Sequence, residues 1–251
     1  MNPARRLHTL FLLGAALVLV PCAAGAVSVP TVSFGIQEAE SPQQVSTALQ
    51  ILFLLTILSI APAILLMTTC FTRIVIVLGF VRQAMGTQNM PPTQVLIGLS
   101  LFLSFFIMSP VINDINGNAL QPFLAEEISQ EQALDRALTP MRTFMSNQVG
   151  EEELALLSGI TLEEEHFGKE DIPTLTLVPA FMLSEMKKAF QMGFMIYVPF
   201  LVIDMIVASI LMSMGMMMLP PVIISMPFKL LLFVLVDGWG LVVGSLIKSF
   251  S

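Results

Sequence analysis

Long uncharged apolar runs dominate the chain and are interrupted at a few definite places. The first run is short: Arg5 and Arg6 precede an apolar stretch from Leu10 to Val20, which is followed by Cys22-Ala23-Ala24-Gly25-Ala26. A basic start, a short apolar core and a small-residue exit make up a secretory signal, so residues 1–26 are expected to be a cleavable signal peptide ending at Ala24-Gly25-Ala26. The competing reading, an uncleaved anchor, has against it a core well below the ~20 residues of a spanning helix. Pro21 is a poor fit to lipoprotein processing at Cys22. The next uncharged run extends from Ser41 to Thr72, and its part from Val45 to Met67 is long enough to cross a membrane as a helix kinked at Pro62. Another runs from Gln83 to Asn113, with its apolar centre from Val95 to Ile112. A third from about Ala189 to Met214 and a fourth from about Val222 to Ile247 are separated by Pro220-Pro221, which predicts a helical hairpin with a tight turn. The pattern predicts an all-α protein of integral membrane type: four long apolar helices in two hairpins (27–112 and 180–251) around an inserted acidic helical segment (113–179).

That inserted segment has another composition. Residues 113–179 hold 13 acids, Asp114, Glu126, Glu127, Glu131, Asp135, Glu151 to Glu153, Glu163 to Glu165, Glu170 and Asp171, against Arg136, Arg142 and Lys169. Leu134, Leu138, Met141 and Met145 recur at helical spacing, and Ser129-x-x-Gln132 and Thr161-x-x-Glu164 have the form of capping boxes, so short amphipathic helices in water are expected. The glutamate runs read first as a solvated face, with cation binding as the alternative. If a signal is cleaved, the first long segment runs inward, Arg73 and Arg82 fall in a short cytoplasmic loop as the positive-inside rule prefers, and the acidic segment lies outside the cytoplasm. Lys187 and Lys188 then lie at the outer end of the third segment, against that rule, which suggests that these helices are held by other proteins more than by lipid.

Composition sharpens the picture. Of 251 residues, 55% are hydrophobic and 12% charged, about half the ~25% charge of soluble domains. The net charge of −7 comes from the acidic segment, the rest being close to neutral. Two Cys and two His in the whole chain, of which Cys70 and His166 remain after the signal, leave little material for a disulfide framework, a zinc cluster or a Ser-His-Asp triad. No catalytic residue, metal, cofactor or nucleic-acid partner is expected, and the chain is not expected to be an enzyme.

Two sets of residues carry the remaining chemistry. Glu185, Asp204, Lys229 and Asp237 are ionisable groups in or beside apolar helices, where a charge is costly and faces a partner or a cavity. Counted from the turn, Asp204 and Lys229 fall at the same depth. They could form an intrachain ion pair, reach a neighbouring subunit, or mark an ion-translocating carboxylate. The turn itself reads Met212-Ser213-Met214-Gly215-Met216-Met217-Met218-Leu219-Pro220-Pro221. Methionine is unbranched and polarizable and repacks around different shapes. Five of them in seven positions are either generic apolar residues at a helix end or the start of a compliant seal; a thioether copper site has no Cys or His nearby to complete it.

Several stretches resemble the FliP family, flagellar biosynthetic membrane proteins of the type III export gate. These are Thr72 to Leu78, Arg82 to Gln88, Pro91-Pro92-x-Gln94 to Leu99, Phe105 to Pro110, Pro179-Ala180-Phe181-x-x-Ser184-Glu185, Phe200 to Pro221, Pro227 to Leu230 and Val236 to Trp239. The resemblance spans Leu65 to Ser249 apart from the acidic segment. It implies a pore subunit of the bacterial inner membrane and flagellar basal body, a homo-oligomer of several copies (five expected). Its implied partners are FliQ-like and FliR-like membrane proteins, other export-apparatus and proximal rod proteins, and unfolded flagellar subunits passing through. It also implies a gasket at Met216, Met217 and Met218, extended to Met212 and Met214. The paralogous virulence-type component (SctR) is the alternative within the family. Outside it stand an ion-coupled transporter using Asp204 or Asp237, for which four segments are few, and a membrane enzyme, which lacks a nucleophile–base set.

Overall fold

The computed structural model describes residues 42–87, 89–161, 172–216 and 218–250. The expected signal peptide, the second capping box with Glu164, the acids from Glu163 to Asp171 and Met217 lie outside the described residues. The chain divides into two units, Met1–Ile51 and Leu52–Ser251. In the first, the described residues 42–51 are helical and open α1 (Pro42–Met67). In the second, the remainder of α1 is apolar on every side, and Leu52, Phe53, Leu54, Ile57, Leu58 and Leu65 are all exposed. A helix hydrophobic all round wants an apolar surrounding that its own chain does not supply here.

Residues 71–84 bring the main correction. The short loop expected around Arg73 and Arg82 is a helix, α2 (Phe71–Ala84), and it is the most buried element of the second unit. Ile74, Val77, Leu78, Val81 and Ala84 recur at i, i+3, i+4 spacing, so one stripe faces inward, and Arg73 shares it. At 14 residues the helix is about 21 Å long, too short to cross a bilayer but sufficient to form a core. Next come α3 (Thr93–Ile107) and α4 (Ser109–Ile115), then a π-helical turn at Asn116–Leu120 and α5 (Gln121–Leu124). The single apolar run expected from Val95 to Ile112 is thus bent, by 57°, at Met108, where Pro110 enters the first turn of α4. α6 (Gln130–Gln148) starts at a complete Ser129/Gln132 capping box. Its inward side is narrower than the expected stripe: Met145 is buried, whereas Leu134 and Leu138 are exposed.

After α7 (Glu151–Thr161) comes α8 (Thr174–Ser213), a 40-residue helix that begins well before the expected Ala189 and carries Pro179 and Pro199 inside it. α9 (Pro221–Leu235) and α10 (Gly238–Lys248) replace the single fourth segment and are bent by 62°. By length and composition α1 and α8 can each cross a membrane, and each bent pair can do so if it acts as one span.

α2 lies along α8, with α3 beside it. Its stripe joins Leu96 and Leu103 of α3, Ala189 and Phe200 of α8, Phe233 of α9, and Val242 and Leu246 of α10 in one apolar cluster. The α2–α8 approach depends on Gly193, because a Cβ there would run into the Phe80 ring, which packs edge-on against Phe190 at 5.4 Å between centroids. A second cluster joins Met145 and Val149 at the end of α6, Leu154 of α7, Ile172, and Leu177, Ala180 and Phe181 of α8. The helices of the acidic segment are therefore built onto the early turns of α8.

Candidate functional site

The methionine turn is fixed by its backbone. Gly215, at φ +73°, ends α8 in the left-handed region, which glycine enters without a Cβ penalty. The Gly215 N–H donates to Met212 O at 3.0 Å and the Met216 N–H to Leu211 O at 3.0 Å, the paired bonds of a Schellman motif. Pro221 then opens α9 at a position where its missing N–H costs nothing. The backbone is ordered by its own hydrogen bonds, while the described methionine side chains stay exposed. Met212, Met214 and Met216 are exposed, and Met218 is 98% exposed. Unbranched thioethers on a hydrogen-bonded turn offer an apolar surface that can conform to whatever meets it.

Below the turn, Lys229 Nζ lies 2.6 Å from Asp204 Oδ2, while Ser225 Oγ donates to Asp204 Oδ1. Ser225 and Lys229 stand one turn apart on α9, so both reach the same carboxylate on α8. Both are buried. Two opposite charges at matched depth in an apolar hairpin relieve each other's desolvation, and the hydroxyl satisfies the second oxygen.

Glu185 is paired elsewhere, with the arginine that opens the inward stripe of α2. Arg73, 1% exposed, donates from Nε to Glu185 Oε2 at 2.9 Å and from Nη2 to Glu185 Oε1. Its Nη1 donates to Ser249 O at 3.0 Å and Ser249 Oγ at 2.9 Å, and Nη2 also donates to Gln148 Oε1 at 3.1 Å. All five N–H groups of the guanidinium are engaged, and its plane covers the Phe250 ring at 3.8 Å. Lys188 Nζ holds Gln148 O at 2.7 Å. One buried cation thus ties α2, α6, α8 and the segment after α10 together.

Asp237 departs from the expectation of a buried, paired charge. It is exposed, sits at φ 50° in the bend between α9 and α10, and its carboxylate lies over the first turn of α10, where Gly240 leaves room for it. The bend is what frees it: a straight fourth helix would have carried it inside the apolar run.

Arg73 could have been found from the sequence, since it opens the helical spacing of Ile74, Val77, Leu78 and Val81; its charge read as a loop marker because no partner lies near it in the chain. On the outer side of α8, Lys187 pairs with Glu152 at 2.6 Å and Glu153 at 2.9 Å. The hydrogen bond from Lys187 holds the Glu153 carboxyl below its ordinary range. Burial pushes the Cys70 thiol up to about 11, so it stays protonated at neutral pH.

Residues 54–246 match the sequence profile of the FliP family. The chain belongs to the FliP family. Among similar proteins, the flagellar biosynthetic protein FliP of Bacillus subtilis is 56% identical over 212 residues, which cover 84% of this chain and 96% of that protein. The FliP proteins of Pectobacterium carotovorum (53% over 208 residues, covering 83% and 81%) and Aquifex aeolicus (50% over 206, covering 81% and 86%) are similar to comparable extents. The FliP-family region contains the methionine turn, the Asp204–Lys229 pair and the Arg73–Glu185 pair. Ser249 and Phe250, which complete the Arg73 site, lie just beyond it.

Proposed function

We propose that this protein is a pore-forming subunit of the flagellar type III export gate, and that its methionine turn is the gasket of the channel. Several copies would assemble with FliQ-like and FliR-like membrane proteins in the inner membrane at the base of the flagellum, beside other export-apparatus and proximal rod proteins. Unfolded flagellar subunits would then pass between the turns contributed by each copy. The observation that carries the reading is the exposed set Met212, Met214, Met216 and Met218 on a turn whose backbone is locked by a Schellman motif. Met217 completes the run in sequence. Such a turn holds its place while its side chains yield, which is what a seal around a moving chain requires.

The length of α8 adds to this. Forty residues make a helix of about 60 Å, twice the ~30 Å hydrocarbon core. Its first half carries Glu185, Lys187 and Lys188 and is wrapped by α6 and α7. We read that half, and the acidic segment on it, as standing outside the bilayer on the extracytoplasmic side. Asp204 is held by both Lys229 and Ser225, which favours a structural role over ion carriage.

Replacing Met216, Met217 and Met218 together by Gly in cells carrying the assembled gate tests the proposal. The membrane should become permeable to small ions, read by loss of membrane potential. Permeability equal to wild type, with the gate assembled, would overturn it.

A further inference from the structure

Ser225 and Lys229 do more than relieve Asp204 of its charge: they distinguish one alignment of α8 and α9 from its neighbours. Both donors come from one face of α9, one turn apart, and take separate oxygens of the carboxylate, Ser225 Oγ on Oδ1 and Lys229 Nζ on Oδ2 at 2.6 Å. If α9 slid along α8 by one turn, about 5.4 Å, the pattern would fail in either direction. One way, Asp204 would meet Pro221 and Ser225 and lose its cation; the other way, it would meet Lys229 and Phe233 and lose its hydroxyl. Lys229 is 2% exposed and Ser225 0%, and a polar group stranded at such depth is costly. Lys229 is also closed in from the side of the core, since a Cβ on Gly86, just after α2, would stand 4.0 Å from its Nζ.

The apolar positions on the side of the turn discriminate far less. From Met205 to Ile224 the one buried residue among those described is Leu211. Aliphatic side chains of similar size recur along both helices there, among them Ile206, Ile210, Val222 and Ile223, and such surfaces repack with little loss when they shift. The turn does not fix the alignment either. Between its Schellman bonds and α9, the one backbone bond among the described residues runs from the Leu219 N–H to Met216 O at 3.4 Å, so this stretch can change its reach. We propose that Asp204, Ser225 and Lys229 are positioning residues that pin the register of the hairpin and thereby set the height at which the methionine turn stands. A buried polar contact that selects one register without adding stability is a known device of packed helices. Its consequence here rests on the gasket reading: turns from several copies close one passage only when they stand level.

The test uses the full chain, extracted in mild detergent with its co-purifying partners, and reads the alignment of α8 and α9 directly. Val202→Cys and Val234→Cys, exposed positions of the two helices outside both the cluster and the turn, carry spin labels, with Cys22→Ala and Cys70→Ala in the same chain. Labelled copies are diluted among unlabelled ones, and the distance is measured by pulsed electron resonance. The unaltered cluster should give one narrow distance. An all-apolar cluster, Asp204→Leu with Ser225→Ala and Lys229→Met, should unfold at the same temperature or higher, yet show a second population displaced by about 5 Å and lose membrane potential in cells. Ser225→Ala alone leaves the charges able to pair in two alignments and should show the same population to a lesser degree. Asp204→Asn with Lys229→Gln keeps a hydrogen-bonded cluster without charge, since the amide can accept from position 229 and donate to Ser225 Oγ, and should return to one narrow distance. One narrow distance in the all-apolar form, or in Ser225→Ala should the triple change fail to accumulate, would overturn the proposal and leave the alignment to the Phe200–Phe233 contact, 6.3 Å between ring centroids. A second population in the amide form would overturn it as well. The distance needs no pore, so two alignments in a membrane as tight as wild type would uphold the pin and sink the gasket reading instead.

Discussion

Arg73 and Met218 mark two ways of using a side chain within the unit Leu52–Ser251. Around Arg73 every polar group is matched: five donors meet fixed acceptors on three other segments, and the guanidinium is 1% exposed. Such a site admits one arrangement, because any displacement strands a buried charge. Around Met218 the backbone alone is matched, and the side chain, 98% exposed, has no place in its own chain. The core around α2 is specified by polar satisfaction and close packing, whereas the hairpin tip is specified in its main chain and left open in its side chains. The pore subunit proposed above would need both kinds of region, one to hold a passage firmly and one to let its rim deform.

The largest effect should come from breaking the first region. Arg73→Ala leaves Glu185 buried without its cation and should cost about 3–5 kcal/mol. It should be read as a lowered unfolding temperature in detergent and a loss of accumulated protein. Arg73→Met with Glu185→Leu should recover part of that loss, since no charge is then stranded. Next in size is Gly193→Val, whose side chain meets the Phe80 ring; overpacking of this kind costs about 1–3 kcal/mol. Combining it with Phe80→Ala should be less damaging than the sum of the two changes. If the combination is fully additive, the close approach of α2 and α8 is not what the glycine serves.

Substitutions at the tip should separate stability from function. Met218→Ser touches no packed neighbour and should change unfolding by less than about 0.5 kcal/mol, while altering permeability if the turn seals a channel. A large stability loss there would erase the contrast between the two regions. The smallest effect concerns the ion pairs between α7 and α8. Glu153 has its carboxyl held low by the Lys187 hydrogen bond. An acid depressed in the folded state contributes stability that is present above its unfolded pKa and is lost as pH falls through the folded value. Amide exchange in α7 should therefore quicken as pH falls below the ordinary carboxylate range, and Lys187→Ala should weaken that pH dependence.

Much of this was legible in the sequence where the cause is local. Ser129 and Gln132 lie three residues apart, and the capping box is there. Pro221 starts the second helix of the hairpin, and counting from the turn before it puts Asp204 and Lys229 at one depth, where the structure holds them 2.6 Å apart. What escaped reading has a distant cause. α2 looked like a loop because a helix of 14 residues bounded by arginines is too short to span, and only a core assembled from α3, α8, α9 and α10 makes it worth burying. Arg73 finds Glu185 at a separation of 112 residues, beyond any spacing rule. Leu134 and Leu138 follow the helical period but face away from the chain, since periodicity reports an apolar side without saying what covers it.

The Arg73 site also bears on how the chain is made. Its last hydrogen-bond partner, Ser249, follows it by 176 residues, so at roughly 5–20 residues per second of synthesis the guanidinium emerges about 10–35 seconds before its pocket can close. Through that interval α2 cannot take its final place, and the apolar helices that follow must be kept from settling around an uncompensated cation. Closure of this pocket therefore waits on Ser249, which makes the segment after α10 a checkpoint for what has folded before it.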